Sequence, residues 1–233
     1  MKHYVLFLIF ITTLFCLGCC KKDSDSGPEC IENYLGEVSL SQNEKIVPQY
    51  KINDSLVFIN EIINNSLLYT CKFQVSNYYT QSENEPDSNG NIECLGNYYK
   101  SEAYITQFND RPKNWIRIQI TKPGPFNSIK FNGLNIYISI PGDSVYMFEG
   151  EYSFTEDSIF SYPNLFGASV AEVYDTITID GQLYHKVYLL KGYQHLFLPE
   201  RITQVLYSTS FGILRFSTNK NNVWNINNKT ILH

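Results

Sequence analysis

The chain has 233 residues, a formal net charge of −5, 18 Tyr and 15 Phe, but only two Met. A protein that binds nucleic acid needs a basic stripe, so this mildly acidic balance excludes that class of partner. The length suits a single β-domain of about 200–250 residues, and the aromatic enrichment favours strands over helices.

Residues 1–18 have the pattern of a secretory signal peptide. Lys2 precedes a short apolar run from Tyr4 to Leu17, and the small residue Gly18 follows that run. A transmembrane helix needs about 20 apolar residues, whereas the apolar region of a signal peptide needs only about 7–15. We therefore predict that residues 1–18 direct export and are then removed.

Cys19 stands directly after the predicted cleavage point. Leu17-Gly18-Cys19 resembles a lipobox, and this resemblance implies that Cys19 is acylated, with Cys20 as the alternative acceptor. Each buried CH₂ of an acyl chain contributes about 0.8 kcal/mol, so several chains hold a soluble domain at a membrane. The lipid is therefore the predicted link between this chain and the membrane.

The residues after the cysteine add a second resemblance. The run from Cys19 to Asp25 is similar to the Cys-Lys-Asp-Asp starts of Bacteroidota lipoproteins. Residues 94–102 and 207–216 look like pieces of uncharacterised lipoproteins from the same group. The resemblance implies an outer-membrane lipoprotein, on either the periplasmic or the surface side.

Residues 19–34 are charged, contain Ser and Pro and have no apolar period, which is typical of a flexible tether. Alternating apolar and polar residues then predict strands throughout 35–233, which we expect to form one domain. Ile116, Ile118 and Ile120, for example, alternate with polar neighbours. The predicted strands span 36–41, 56–60, 67–79, 97–108, 115–121, 134–140, 144–154, 173–179, 182–190, 204–208, 213–217 and 223–227.

Short turns connect these strands. Asp180-Gly181 lies between two β-rich runs and predicts a type I′ hairpin turn, because both of its central positions need positive φ. Successive strands with such turns favour an antiparallel meander. We predict an all-β fold with a curved sheet or open barrel, and the alternative is a two-sheet β-sandwich.

Four cysteines remain after acylation of Cys19, namely Cys20, Cys30, Cys71 and Cys94. An even number in an oxidising compartment predicts disulfides. We favour Cys71 with Cys94; in a plain hairpin these two would lie at opposite ends, so Cys30 is the other candidate partner. The chain has no Cys-x-x-Cys pair with a nearby His, so we predict no metal site.

Four tyrosines flank the segment 80–97, and they are the candidate binding surface. Tyr78 and Tyr79 precede this segment, and Tyr98 and Tyr99 follow it. Tyrosine gives a large contact area at low entropic cost, which suits a glycan or protein partner. The alternative is that each adjacent pair places one ring inside and one outside the sheet.

Four segments share the order aspartate, hydroxyl residue, aliphatic residue. This order resembles the O-glycosylation sequon of exported Bacteroidota proteins. The same order also occurs where a turn leads into a strand. The resemblance makes the hydroxyl residue of each segment a candidate for modification: Ser55, Ser144, Ser158 and Thr176.

The chain contains no nucleophile elbow, phosphate-binding loop or His-Glu-x-x-His motif. We therefore predict a protein without enzymatic activity or cofactor. The favoured hypothesis is a displayed module that binds a glycan or a protein. The second hypothesis is a carrier or chaperone that holds an apolar ligand, such as a lipid, against a concave sheet.

Overall fold

The structure is a computed structural model. It describes residues 31–60, 62–82, 96–109, 114–124, 131–140, 146–155, 158–161, 168–193 and 201–227. Within these ranges the chain forms strands and no helix, which confirms the predicted all-β class. The thirteen strands in the described residues are β1 Asn33–Val38, β2 Ser55–Asn60, β3 Asn65–Ser82, β4 Asn97–Phe108, β5 Trp115–Thr121, β6 Asn132–Ile140, β7 Tyr146–Phe154, β8 Ile159–Ser161, β9 Ser169–Ile179, β10 Gln182–Lys191, β11 Ile202–Ser208, β12 Gly212–Thr218 and β13 Val223–Ile226.

The strands form one nearly closed, barrel-shaped sheet. Its order is β8-β7-β6-β5-β4-β3-β2-β13-β12-β11-β10-β9, and all of these neighbours are antiparallel. Of the strands in this order, β2 comes first in the sequence and β13 comes last. These two strands are neighbours, and Ile59 pairs with Asn225 and Phe58 with Ile226. The predicted meander is confirmed, and the alternative of a sandwich is wrong.

The predicted hairpin turn is present between β9 and β10. Asp180 and Gly181 have φ angles of 49° and 78°, as a type I′ turn requires. Ile179 pairs with Gln182 across the turn. This local sequence signal therefore defined both the turn and the register of the two strands.

Strand β1 makes the one parallel pairing of the described sheet. It lies beside the start of β4, where Tyr34 pairs with Tyr98. Strand β5 leaves this edge free, because its pairing with β4 ends at Ala103 and Thr121. Strand β1 therefore covers the edge of β4 before Ala103, which β5 does not reach.

The interior of the barrel is filled by side chains. Ile116, Ile118 and Ile120 of β5 are buried, as the alternation along this strand requires. Large aromatic side chains from other strands complete the same core. Phe58, for instance, packs edge-on against Tyr69 with ring centroids 5.7 Å apart. Other aromatic members of the core cluster with relative exposure of 1% or less are Phe108, Phe148, Tyr152, Phe154, Tyr184, Tyr207 and Phe216.

Residues 39–50, which we call the plug, close one end of the barrel. They contact residues at the ends of several strands, and Leu40, Ile46 and Val47 are buried in the core. The Tyr207 hydroxyl donates to the Ile46 carbonyl oxygen at 2.7 Å, and Gln74 Nε2 donates to the Pro48 carbonyl oxygen at 2.8 Å. The three buried side chains of the plug therefore belong to the core.

Two carboxylates fasten the plug to the barrel. Glu102 of β4 lies 3.0 Å from Lys45 Nζ and accepts a hydrogen bond from Leu40 N at 2.7 Å. In the plug itself, Glu44 pairs with Lys122 and accepts a hydrogen bond from Asn132 Nδ2 at 2.7 Å. Glu102 is buried and Glu44 is half-buried. Each carboxylate has cationic and neutral donors around it, as partial or full removal of such a charge from water requires.

The remaining seam lies between β8 and β9, which share no backbone ladder in the described residues. One end of the seam is held by contacts between β7 and the residues that end or follow β10. Tyr193 N donates to the Glu149 carbonyl oxygen at 2.7 Å, and the Tyr152 hydroxyl donates to the Lys191 carbonyl oxygen at 2.9 Å. These bonds bring the two sides of the nearly closed sheet together.

Candidate functional site

The candidate site lies where β3 and β4 extend past their neighbours. We use the name arm for β1 together with residues 73–82 of β3 and 97–103 of β4. Strand β2 pairs with β3 only from Asn65 to Thr70, whereas the ladder between β3 and β4 continues to Ser82 and Tyr98. The arm is therefore a ribbon of sheet without β2 beside it.

The four predicted tyrosines divide between the two faces of the arm. Tyr78 and Tyr98 share one face, and Tyr79 and Tyr99 share the other, because successive residues of a strand alternate. Tyr78 and Tyr79 are exposed, whereas Tyr99 is only 2% exposed and its hydroxyl donates to Gln81. Tyr99 is thus part of the packing of the arm and lies outside the exposed set.

Tyr34 joins Tyr98 on its face, which the sequence did not predict. The two ring centroids are 5.3 Å apart with the planes tilted by 36°. The Tyr78 hydroxyl, further along the same face, is hydrogen-bonded to Ser39 Oγ at 2.8 Å. Tyr34 reaches this face through the parallel pairing of β1 with β4. The sequence did not predict this pairing, because local alternation does not reveal which distant strands are neighbours.

The opposite face of the arm presents an apolar row. Phe73, Val75 and Tyr79 lie on this face of β3 and are 37%, 38% and 43% exposed. The edge of β3 beside them, from Phe73 to Gln81, has no strand next to it in the described residues. The sequence of this edge, Phe-Gln-Val-Ser-Asn-Tyr-Tyr-Thr-Gln, contains no charge, no Pro and no Gly.

Such an edge is unusual in a folded protein. Exposed edge strands are ordinarily protected by charged side chains, Pro or bulges, because their free N–H and C=O groups pair with other chains. Here the register shift of the ladder falls between Cys71 and Phe73, before the open edge begins. Within the part of the chain that the structure describes, the edge therefore combines backbone groups that have no ladder partner with exposed apolar side chains.

The predicted disulfide of Cys71 is wrong in the structure. Cys71 is the only cysteine in the described residues, and it is a buried free thiol. It pairs with Phe108 at the end of the β3–β4 ladder that is furthest from the connection between the strands. From Cys71 to Ser82 the strand spans about 37 Å at about 3.4 Å per residue. Cys19, Cys30 and Cys94 lie outside the described residues.

The candidate hydroxyl residues differ in their surroundings. Ser158, directly before β8, and Thr176, in the middle of β9, are both exposed. Ser55, at the start of β2, is half-buried, and its hydroxyl donates to the Asn53 carbonyl oxygen at 3.3 Å. Ser144 lies outside the described residues. The two exposed hydroxyls are the accessible candidates for modification.

The described residues contain neither a cluster of metal ligands nor a membrane-spanning helix. No group of three or more His, Cys, Asp or Glu in the described ranges is placed to hold a metal ion. Nor do these ranges contain a helix with the length and apolar character needed to cross a membrane. Comparisons of the chain with protein-family models, with curated proteins and with solved structures found no match.

Proposed function

We propose that the mature chain is a lipid-anchored, exported binding module without enzymatic activity, and that it binds an extended segment of a protein partner along the arm. The observation that carries the proposal is the open edge of β3 from Phe73 to Gln81, which has no charge or proline to block pairing. Strand addition supplies affinity through backbone hydrogen bonds and specificity through alternate side chains.

The surface of the arm suits this mode of binding. Phe73, Val75 and Tyr79 lie in a row along the edge strand and offer exposed apolar contacts for alternate side chains of an added strand. Tyrosine is enriched at protein interfaces because it joins an apolar ring to a polar hydroxyl. The binding surface then lies outside the barrel, whereas a carrier of a lipid needs room inside it. Buried side chains such as Tyr69 and Tyr207 occupy that space.

Site-specific photocrosslinking tests the proposal. A photoreactive residue is placed at Asn77, on the open edge of β3, and in a second protein at Val173, which is also exposed but lies on β9. We expect a discrete protein adduct from position 77 and none from position 173. Val75→Lys in the same protein should reduce that adduct several-fold, because a charge on the edge opposes strand addition.

Three outcomes overturn strand addition to a partner. Equal adducts at positions 77 and 173 mean non-specific proximity. An adduct consisting only of two copies of this chain means self-association. Binding to a glycan that is lost in Tyr34→Ala and Tyr98→Ala, but retained in Val75→Lys, assigns the arm to glycan recognition instead.

The proposed attachment and location rest on the pattern of residues 1–25. Because acyl chains hold a protein at a membrane, Cys19→Ala should release the protein into the soluble fraction and abolish labelling by palmitate. Cys20→Ala is the matched control and should retain both properties. The opposite result assigns the lipid to Cys20, and retention of label in both single variants contradicts a single acylation site at either residue.

A further inference from the structure

A groove opens on the outer face of the barrel, where residues of β9 to β13 surround a volume of about 280 Å³. Its apolar lining consists of four aliphatic side chains, Ile177, Leu189, Leu206 and Val223. Drug-sized ligands occupy pockets of about 300–1,000 Å³, so a groove of this size suits a compact apolar group. No residue of the arm lines it, and a ligand here is independent of the proposed strand addition.

A single cation, Arg215 of β12, lies among these side chains. Its Nε donates to Asn225 Oδ1 at 2.6 Å, and Asn225 stands opposite Arg215 in the pairing of β12 with β13. Asn225 Nδ2 in turn lies 3.4 Å from Asp180 Oδ1. This chain of contacts fixes the guanidinium through Nε, so that its two Nη groups remain to bind a ligand.

The charge of Arg215 is not neutralised directly by the carboxylates of the described residues, none of which lies within salt-bridge distance of it. The acid on the neighbouring wall, Glu172, instead accepts a hydrogen bond from the Tyr174 hydroxyl at 2.6 Å. That bond, followed by burial, raises the pKa of Tyr174, while the charge of Arg215 acts in the opposite direction. Glu172 therefore outweighs Arg215 at the Tyr174 hydroxyl, and the positive charge of the groove is centred on Arg215 itself.

The remaining polar side chains that line the groove are neutral. Gln204 and Ser217 face each other on paired strands, and both offer hydrogen bonds without adding charge. A guanidinium with two open Nη groups matches the two oxygens of a carboxylate. Beside it, the aliphatic side chains match an apolar body.

We propose that this groove binds an aliphatic carboxylate, with Arg215 holding the carboxylate and Leu189, Leu206 and Val223 contacting the aliphatic part. Both a free short-chain acid and the carboxyl terminus of a peptide ending in an aliphatic residue carry this chemistry. The neutral amide of the same acid retains the apolar contacts but removes the charge. It is therefore the matched control ligand.

The test is a titration of the isotope-labelled protein with hexanoate and with hexanamide, followed by amide chemical shifts. We expect hexanoate to shift residues around the groove, and hexanamide to bind at least about tenfold more weakly, since hydrogen bonds to charged groups are the stronger ones. Arg215→Gln should weaken hexanoate binding by a similar factor. Arg117→Gln removes the same charge from β5, which does not line the groove, and should leave hexanoate binding unchanged. Arg117 hydrogen-bonds Gln119 of its own strand.

Equal affinity for the acid and the amide overturns the proposal in the unmodified protein, whether or not Arg215→Gln folds. So does an equal loss in Arg117→Gln, a shift pattern away from the groove, or no binding up to the solubility limit of the acid. A tetrapeptide ending in leucine, with a free or an amidated terminus, separates the two sources. Tighter binding of its free terminus than of hexanoate indicates a peptide ligand, and the reverse indicates a free acid.

Discussion

Glu44 shows how a single carboxylate ties the plug to the barrel. Burial alone raises its pKa, but hydrogen bonds from Asn132, Lys122 and Ser41 outweigh burial and lower the pKa to about 2. Glu102 follows the same logic: burial opposes, and its donors, including Ser76 at 2.5 Å, lower the pKa. Both carboxylates are stabilised in their charged form in the folded protein.

These lowered pKa values predict acid sensitivity. The folded pKa of Glu44 lies below the unfolded value of about 4.3, so its contribution is full above about pH 5 and is lost as the pH falls toward 2. We expect the contribution of Glu44 to the free energy of unfolding to fall by about 3 kcal/mol over this range. Unfolding in urea at a series of pH values should therefore show a smaller fall for Glu44→Gln than for the unmodified protein. Asp175→Asn, at an exposed position, is the control. An unchanged pH profile in Glu44→Gln contradicts the assignment.

Cys71 gives a second prediction at this scale. Burial, together with the charge of Asp54, raises the pKa of its thiol to about 11, so the reactive thiolate is scarce near neutral pH. In a protein with Cys71 as the only cysteine, we expect a thiol reagent to react very slowly in buffer and with one equivalent in urea. Rapid reaction of the folded protein refutes this burial.

The strands differ in how much of their structure is encoded locally. The alternation of Ile116, Ile118 and Ile120 predicted β5 and its two faces, and Asp180-Gly181 predicted a hairpin. The parallel pairing of β1 was not predictable, because it depends on a gap that β5 leaves beside β4. Tyr78 and Tyr79 were predicted because adjacent tyrosines are visible in the sequence. The exposure of the edge beside them was not predictable, because it depends on where β2 ends.

The contact between β7 and the residue after β10 yields a prediction for these elements. A Cβ atom on Gly192 would lie 2.7 Å from the Glu149 carbonyl oxygen and 2.8 Å from a ring carbon of Phe148. Because the first of these is backbone, Gly192→Ala should destabilise the protein by about 1–3 kcal/mol, as overpacking does. Thr178→Ala, exposed on β9, is the comparison. Equal unfolding midpoints for the two variants rule out a close contact at Gly192.

At the scale of the whole molecule, the barrel depends on a short junction. Strand β13 contacts β12 through Val223, Trp224 and Asn225, and it contacts β2 through Asn225 and Ile226. Strand β6, by comparison, pairs along its whole length with β7. The groove at Arg215 also arises at this scale, because five strands contribute to it and no local motif announces it.

This difference predicts uneven hydrogen exchange. Short ladders open at lower free energy than long ones with buried side chains on both sides. We expect the amides of Val223–Ile226 to exchange faster than those of Asn132–Ile140 when exchange is followed by mass spectrometry under native conditions. Equal protection of the two segments contradicts this, and shows that the barrel opens only as a unit.

The pairing of β2 with β13 also bears on synthesis. Residues 58 and 226 are partners, so a nascent chain has β2 paired with β3 alone until residue 226 has left the ribosome. Pairing across such a long stretch is intrinsically slow, because loop-closure entropy must be overcome before the contact forms. The sheet therefore joins β2 to β13 only after β13 has been made, and until then the apolar side chains of β2 on that side are open to aggregation.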